Sequence, residues 1–234
     1  MEHETHAPMR GKRQPERDEV LASPRVVVVE NRLSLALLAR VRDRGTGIFE
    51  FGAIATQLAS LLLWEACRDV RLEETQVPNF AGEPITVHRL AERVAGVAIL
   101  RAGLLFANPF RGILPDAPLH QIGIRRDERS LRAIVYGDNL PDTGNWADRI
   151  LILDPMLATG GSVVAALRHV RRSHQGRTDV ISLIAAPVGV DTVINADPDC
   201  RVFTAALDDR LNDQGYIIPG LGDAGDRLFG TLNT

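Results

Sequence analysis

The pattern of apolar and polar positions predicts a series of buried strands. From Ile85 onward, short apolar runs are broken by glycine and proline, which is typical of strands covered on both faces of a sheet. Three such runs are Val94–Leu100, Ile150–Leu153 and Val180–Ala186, and an earlier run, Val26–Val29, predicts a further short strand. Strands of this kind belong to a parallel sheet, so the pattern indicates an α/β fold.

Apolar residues at helical spacing predict three helices. An amphipathic helix begins at Ser34 and continues to Val41, and a longer helix covers Phe49–Val70. The third, Ser162–Arg172, lies between the predicted strands Ile150–Leu153 and Val180–Ala186. A strand, a loop, a helix and a strand in this order form the βαβ unit of a parallel sheet.

The two ends of the chain differ in character. Residues 1–24 are polar and lack apolar periodicity, which predicts a disordered arm ahead of a single domain over residues 25–234. Apolar stretches such as Leu61–Trp64 are shorter than the roughly 18 residues of a membrane span. The first residues also lack the apolar core of a secretory signal, so we expect a cytoplasmic protein without membrane contact.

Composition and charge exclude some kinds of chemistry. With 234 residues, 45% of them hydrophobic, and a net charge of −3, the chain can bury a sizeable core. Its only lysine is Lys12 in the polar arm, which argues against both a Schiff-base enzyme and a P-loop nucleotidase. Cys67 and Cys200 are too few for a disulfide framework or a four-thiolate zinc site. Anions would therefore be bound by arginine and by backbone amides.

The loop after the predicted strand Ile150–Leu153 carries the strongest chemical signal. Asp154 follows the strand directly, and the small residues Thr159–Ser162 lead into the next helix. Small residues let the backbone close around a phosphate, and the amides at a helix start point toward it. An acid at the end of a parallel strand lies where α/β sheets bind ligands and can accept hydrogen bonds from sugar hydroxyls. The loop is thus a predicted phosphate cradle without lysine.

The letters of this loop, DPMLATGGS, resemble the motif with which type I phosphoribosyltransferases bind phosphoribosyl diphosphate (PRPP), in the form found in uracil phosphoribosyltransferases. The segment Gly215–Thr231 is similar to the uracil-binding segment and terminal motif of that family. Leu100–Gly103, the region of Arg126 and Thr204–Asp208 also match. Together these segments extend the resemblance over most of residues 26–232.

The resemblance implies both a fold and a reaction. The fold is that of type I phosphoribosyltransferases: a central, mostly parallel sheet flanked by helices, with a small C-terminal hood. The reaction is transfer of the 5-phosphoribosyl group from PRPP to N1 of uracil, which gives UMP and diphosphate in pyrimidine salvage. Mg²⁺ is expected to enter on PRPP, without a dedicated metal site on the protein. A homodimer or larger homo-oligomer is expected, and GTP is a candidate allosteric activator because some relatives respond to it.

The resemblance also assigns residues. Three are expected to act in catalysis: Arg101, Arg126 and Asp154. PRPP is expected to contact these three together with Pro155, Met156, Leu157, Ala158, Thr159, Gly160, Gly161, Ser162 and Asp223. Uracil is expected to contact Tyr216, Ile217, Gly222, Asp223 and Ala224. Backbone groups there can pair with the O2, N3–H and O4 edge of the base and so discriminate against cytosine.

Three positions depart from the family pattern near these motifs. Leu105 replaces a glycine, Arg125 replaces a tyrosine, and Asn139 stands where the family has a lysine, in a segment Tyr136–Leu140 interpreted as a mobile loop. Such changes would weaken or redirect the contacts with diphosphate. They leave two alternatives open: an enzyme that acts on a modified pyrimidine, and a non-catalytic, nucleotide-sensing RNA regulator. Nucleic-acid binding is disfavoured by the negative net charge and an aromatic content of only 5%.

Overall fold

A central sheet organises the protein. In a computed structural model, which describes residues 15–126, 133–142 and 144–231, the strands are β1 Val26–Val28, β2 Leu72–Pro78, β3 Pro84–Leu90, β4 Val94–Leu100, β5 Leu119–Arg126, β6 Ala133–Asp138, β7 Arg149–Leu153, β8 Met156–Leu157, β9 Arg177–Ala185, β10 Arg201–Leu207, β11 Arg210–Leu211 and β12 Ile217–Ile218. The main sheet has the order β1-β10-β9-β7-β4-β5-β6, with β8 paired to β9. Its pairs are parallel except for the antiparallel pair β5–β6. Two small antiparallel sheets, β2–β3 and β11–β12, lie outside it.

Helices cover both faces of the main sheet. They are α1 Arg17–Leu21, α2 Arg32–Arg42, α3 Ile48–Ala66, α4 Ala107–Ile113, α5 Gly161–Val170, α6 Pro187–Ala196 and α7 Ala224–Phe229, with a 3₁₀ helix at Ala102–Phe106. Helix α2 begins before the predicted Ser34 because the Asn31 side chain accepts the amides of Leu33 and Ser34, and the Ser34 side chain bonds back to the Asn31 amide. The three predicted helices and four predicted strands are all present, with shifted ends except for Val94–Leu100, whose bounds are as predicted.

Side-chain alternation on the strands explains the continuous apolar runs. On β7, Leu151 and Leu153 join the core beneath α3, whereas Ile150 and Ile152 join the core beneath α5 and α6. Both sets of side chains are fully buried. Because both faces are covered by helices, the strand cannot show the polar alternation of a half-exposed strand. The predicted α/β class with a mostly parallel sheet is confirmed.

The segment predicted as a disordered arm contains a helix. Helix α1 packs on the body of the protein through Val20, which is 4% exposed, and the Arg17 Nε donates to the Leu207 carbonyl at 2.8 Å. This five-residue helix has one buried position, too few for a periodic pattern to be visible in the sequence. Residues 1–14 of the predicted arm lie outside the described residues. The domain boundary at residue 25 stays a prediction.

Helix α3 is the longest helix among the described residues and packs into the core. By length and composition alone it is long and apolar enough to cross a membrane, a test that the core helix of a globular protein also passes. One face of the helix, which includes Phe51, Leu58 and Leu62, is buried against the sheet and neighbouring helices. Apolar side chains elsewhere on the helix are exposed, among them Phe49 at 90% and Trp64 at 65%.

A buried network of ion pairs lies at the amino ends of the central strands. Arg149 is 1% exposed and donates to both carboxylate oxygens of Glu92, at 2.9 and 3.1 Å, and to Asp69 at 2.8 Å. It also donates to the Ala66 carbonyl at the end of α3. The fully buried Asp179 carboxylate lies 3.8 Å from the same guanidinium. The network ties α3 to three elements of the fold.

We expect Arg149→Met to lower the free energy of unfolding by about 3 kcal/mol or more, because it leaves the Glu92 carboxylate buried without its main partner. Urea unfolding measures the change. Arg93→Met is the control, since Arg93 also binds an aspartate, Asp148, but its side chain is 58% exposed. A solvent-exposed ion pair of this kind contributes much less to stability than a buried one loses when it is broken. Equal losses in the two variants would show that burial does not set the strength of the Arg149 network.

Candidate active site

The sheet topology places a crevice between the carboxyl ends of β4 and β7. These strands are neighbours, yet the chain continues from β4 toward β5 on one side and from β7 toward β9 on the other. Ligands of open α/β sheets bind where the connections diverge in this way. Arg101 follows β4 and Asp154 follows β7, so two of the predicted catalytic residues lie at this point.

The segment Asp154–Ser162 forms a supported loop at this edge. The Pro155 carbonyl accepts the amide of Leu183, and the Leu157 carbonyl accepts that of Ala186, so β9 holds the first half of the loop. The second half ends at Gly160, the first residue before α5, with φ +80°. Thr159 and Gly161 are exposed. The amides at the start of this ten-residue helix therefore face an open site, which has the geometry of an anion-binding helix terminus.

A residue that the sequence analysis missed makes this loop possible. Gly189, in the first turn of α6, lies so close to the loop that a Cβ atom on it would be 2.4 Å from the Ala158 carbonyl oxygen. A Cβ atom on Gly160 would in turn be 2.8 Å from the Gly189 carbonyl oxygen. The two glycines pack backbone against backbone. A single Gly between Val188 and Val190 carries no motif, so only the contact reveals its role.

The Asp154 carboxyl is unusually hard to ionise. Burial raises its pKa to about 7, and the negative charge of Asp223 raises it further, against a lowering by the Met156 amide. Its backbone is held on both sides, because the Asp154 amide donates to Ile181 and its carbonyl accepts the Ser182 hydroxyl at 2.6 Å. A carboxyl that is poorly solvated and firmly placed is a strong acceptor for a ligand's hydroxyl groups, and a perturbed pKa in a crevice is typical of functional groups.

The predicted base-binding segment meets the phosphate loop directly. The Ala224 amide donates to the Met156 sulfur at 3.3 Å, which joins the start of α7 to the loop after β7. Asp223 caps α7, since its side chain accepts the Asp226 amide at 2.8 Å. Ile217 on β12 is buried, while Gly222, with φ +81°, is exposed. Two motifs joined by a contact between residues 68 positions apart in the sequence thus form one surface.

Arg101 completes this surface. Its guanidinium lies 3.7 Å from the Asp226 carboxylate and 5.9 Å from the ring centre of Phe229, so it rests against α7. The side chain is 61% exposed and free to contact a ligand in the crevice. Gly103 allows the following 3₁₀ helix to touch the end of β7, because a Cβ atom there would be 2.5 Å from the Leu153 carbonyl oxygen.

Two predicted site residues, Arg126 and Tyr216, are related to the crevice by their position in the chain and their backbone contacts. Arg126 is the last residue of β5, three positions beyond the Gly123 that pairs with Leu100, so its backbone extends toward the same edge of the sheet. Tyr216 precedes β12, and its amide and carbonyl both bond to Asn212. The Tyr216 side chain is half-exposed.

The residues that depart from the family pattern lie mainly in strands and in the core. Tyr136–Asp138 belongs to β6, so only Asn139 and Leu140 of the segment interpreted as a mobile loop lie outside a strand, and the mobility of the segment stays a prediction. The Asn139 side chain accepts the Gln121 amide at 2.7 Å and extends the β5–β6 pairing, while Leu105 is a core residue with 5% exposure. Asn139 thus has a role in strand pairing and Leu105 in core packing, and their predicted effect on diphosphate contacts stays a prediction. Arg125 is exposed on β5.

Comparison with known proteins decides the family. A sequence model described as uracil phosphoribosyltransferase matches residues 28–231. The chain belongs to this family. Among its relatives, the uracil phosphoribosyltransferase of Dictyoglomus thermophilum is 41% identical over 208 residues, which cover 88% of this chain and 99% of that protein. That of Symbiobacterium thermophilum is 42% identical over 207 residues, with the same coverage.

Solved structures agree with the type I phosphoribosyltransferase fold. The AQ2163 protein of Aquifex aeolicus has a TM-score of 0.81 at 35% identity and covers 87% of this chain and 97% of its own. Adenine phosphoribosyltransferase from Leishmania donovani has a TM-score of 0.53 at 16% identity over 83% of this chain and 88% of its own, which shows the shared fold alone.

Proposed function

We propose that this protein transfers the 5-phosphoribosyl group of PRPP to N1 of uracil. The bond from C1′ to diphosphate breaks, the bond from C1′ to N1 forms, the N1 proton is lost, and UMP and diphosphate leave. The observation that carries the proposal is the contact between Met156 and Ala224. It brings two segments to one crevice: the phosphate loop, Asp154–Ser162, and the base segment, Tyr216–Ala224. The activity named for the relatives supports it.

The proposal assigns the PRPP contacts to three structures around the crevice. The amides at the start of α5, from Gly160 to Ser162, bind the 5′-phosphate, and the Asp154 carboxylate accepts the ribose hydroxyls. Arg101 and Arg126 balance the charge that grows on the departing diphosphate. The remaining PRPP contacts are assigned to the residues between Asp154 and Gly160, which are Pro155, Met156, Leu157, Ala158 and Thr159.

Uracil is placed by the base segment. The exposed backbone of Gly222 and the backbone of Ile217 face the polar edge of the base, and Tyr216, Asp223 and Ala224 surround it in the proposal. Peptide groups that match the donor and acceptor order of uracil would be left unpaired by cytosine. Each unpaired buried group costs about 1–3 kcal/mol, so the base segment sets specificity.

Negative charge is concentrated where the sugar would lie. Asp154 and Asp223 are close enough for the charge of one to raise the pKa of the other. Their oxygens are hard donors that suit Mg²⁺, while groups of three or more acidic, His or Cys side chains that could hold a metal are absent from the residues described. We therefore propose that Mg²⁺ enters with PRPP, where it would offset the charge of the diphosphate.

The test is chromatographic detection of UMP from purified protein, PRPP, Mg²⁺ and uracil, with cytosine, hypoxanthine and orotate in parallel. Uracil-dependent UMP with little product from the other bases is the expected result. Product from none of them, with PRPP still bound, would overturn the proposal and favour the RNA regulator or an enzyme for a modified pyrimidine. GTP added to the same assay tests whether it activates.

We propose a homodimer or larger homo-oligomer as the working form. The exposed apolar side chains of Phe49 and Trp64 on α3, with Phe80 at the tip of the β2–β3 hairpin, support it, because such surfaces are usually covered. Light scattering should give a mass that is a multiple of 25.6 kDa, reduced in Trp64→Glu. A monomer in the unaltered protein would contradict it. A cytoplasmic location stays a prediction.

A further inference from the structure

The base segment is fixed by two residues that belong to neither predicted site. Its central peptide, Gly220, has both polar groups bound: its amide donates to Asp208 Oδ2 at 2.9 Å, and its carbonyl accepts Arg42 Nη1 at 2.7 Å. Arg42 is the last residue of α2, and Asp208 follows the end of β10. Helix α2 thereby reaches a segment that is 178 residues away in the sequence.

Arg42 and Asp208 also bind each other. The two guanidinium nitrogens Nη1 and Nη2 donate to the two carboxylate oxygens, at 2.9 and 2.5 Å. The Asp208 side chain is only 3% exposed and that of Arg42 is 22% exposed, so water competes little for the pair. Paired, charge-assisted bonds of this kind fix orientation as well as distance. The ion pair and the Gly220 peptide form one rigid unit.

Gly220 is in close contact with the backbone that is expected to bind the base. Gly220 has φ +69°, and a Cβ atom there would lie 2.1 Å from the Ile217 carbonyl oxygen. The backbone of Gly220 therefore packs directly against the peptide of Ile217, the residue expected to face uracil. On the other side, Arg227 donates to the Leu221 carbonyl at 2.8 Å and to the Asp43 carbonyl after α2. The two residues before Gly222 are thus both held: Gly220 by Asp208 and Arg42, and Leu221 by Arg227.

We propose that Arg42 is a positioning residue for the base, acting through Asp208 and Gly220. It orients the backbone of the base segment for uracil, and the phosphate loop keeps its own supports on β9 and α6. This inference rests on the proposed transfer of a phosphoribosyl group to uracil. It predicts that losing Arg42 impairs use of the base far more than use of PRPP.

The test compares Michaelis constants for the two substrates. In Arg42→Met we expect KM for uracil to rise about tenfold or more, the ratio that corresponds to losing one or two charge-assisted bonds, with KM for PRPP within about twofold. Arg42→Lys keeps the charge and one donor, so it should recover part of the uracil KM. Asp208→Asn keeps the shape and an acceptor for Gly220, and it should shift KM in the same direction with less effect on folding.

A matched control separates positioning from general stability. Arg171 binds Asp197 and the Gly176 carbonyl with similar side-chain exposure, 26% and 9%, but at the amino end of the strands. Arg171→Met should lower the melting temperature and leave the ratio of the two KM values unchanged. Equal rises of both KM values in the Arg42 and Asp208 variants, or no rescue by lysine, would overturn this inference while the unaltered protein still makes UMP. Absence of UMP from the unaltered protein would instead overturn the proposed function.

Discussion

Asp154→Asn should lower UMP formation by about 10²–10³-fold, the range found when a group that stabilises transition-state charge is removed. The amide keeps the size of the side chain but presents no negative charge to the ribose hydroxyls or to the cationic character at C1′. PRPP should still bind through the α5 amides, so the loss should fall mainly on kcat. Initial rates at saturating PRPP and uracil measure it. A variant with more than a tenth of the normal rate would remove Asp154 from catalysis.

The same substitution should stabilise the fold. Because burial raises the Asp154 pKa to about 7 from its ordinary value of 3.8, the folded state binds a proton that the unfolded state has lost between these pH values. The unaltered protein therefore loses stability as pH rises from about 4 to about 7. The neutral asparagine avoids this loss, so its advantage should be absent near pH 3.5 and reach about 4 kcal/mol above pH 7.5. Urea unfolding at several pH values measures this difference. Destabilisation at high pH would contradict the assigned burial.

Gly160→Ala should abolish measurable PRPP binding. The φ of +80° disfavours alanine, and the added Cβ atom would be 2.8 Å from the Gly189 carbonyl oxygen, so the loop has to move away from α6. Moving it turns the α5 amides from the 5′-phosphate position. Isothermal titration with PRPP should show a loss of at least about 100-fold in affinity, as expected when several charge-assisted bonds are misaligned.

Gly144→Ala is the control for backbone strain in the Gly160 experiment. Gly144 has φ +92° with open space around its Cβ position, so alanine there has the strain without the contact. Its affinity for PRPP should remain within about twofold of normal. Similar losses in both variants would mean that the close approach of α6 to the loop is not what shapes the site.

Local sequence signals predicted the parts of the site that lie in one stretch of chain. The run Ile150–Leu153, the acid after it and the small residues before α5 stand together because a strand, a turn and a helix start each leave a residue pattern. The base segment was equally visible through its glycines and its resemblance to the family. The strand at Tyr136–Asp138 was not predicted, because β6 is a short edge strand with a bulge, whose exposed positions do not alternate clearly with buried ones.

The residues that support the site became visible only in three dimensions. Nothing near Arg42 distinguishes it from the other arginines of an arginine-rich chain, and its partner Asp208 is 166 residues away. Gly189 matters because α6 touches the phosphate loop, which depends on how β9 and α6 pack after the whole sheet has formed. Patterns of hydrophobicity and motif spacing are local and determine strands, helices and the loops that we propose bind phosphate and base. Long-range ion pairs and close backbone contacts depend on the packing of distant segments, and only the folded chain brings them together.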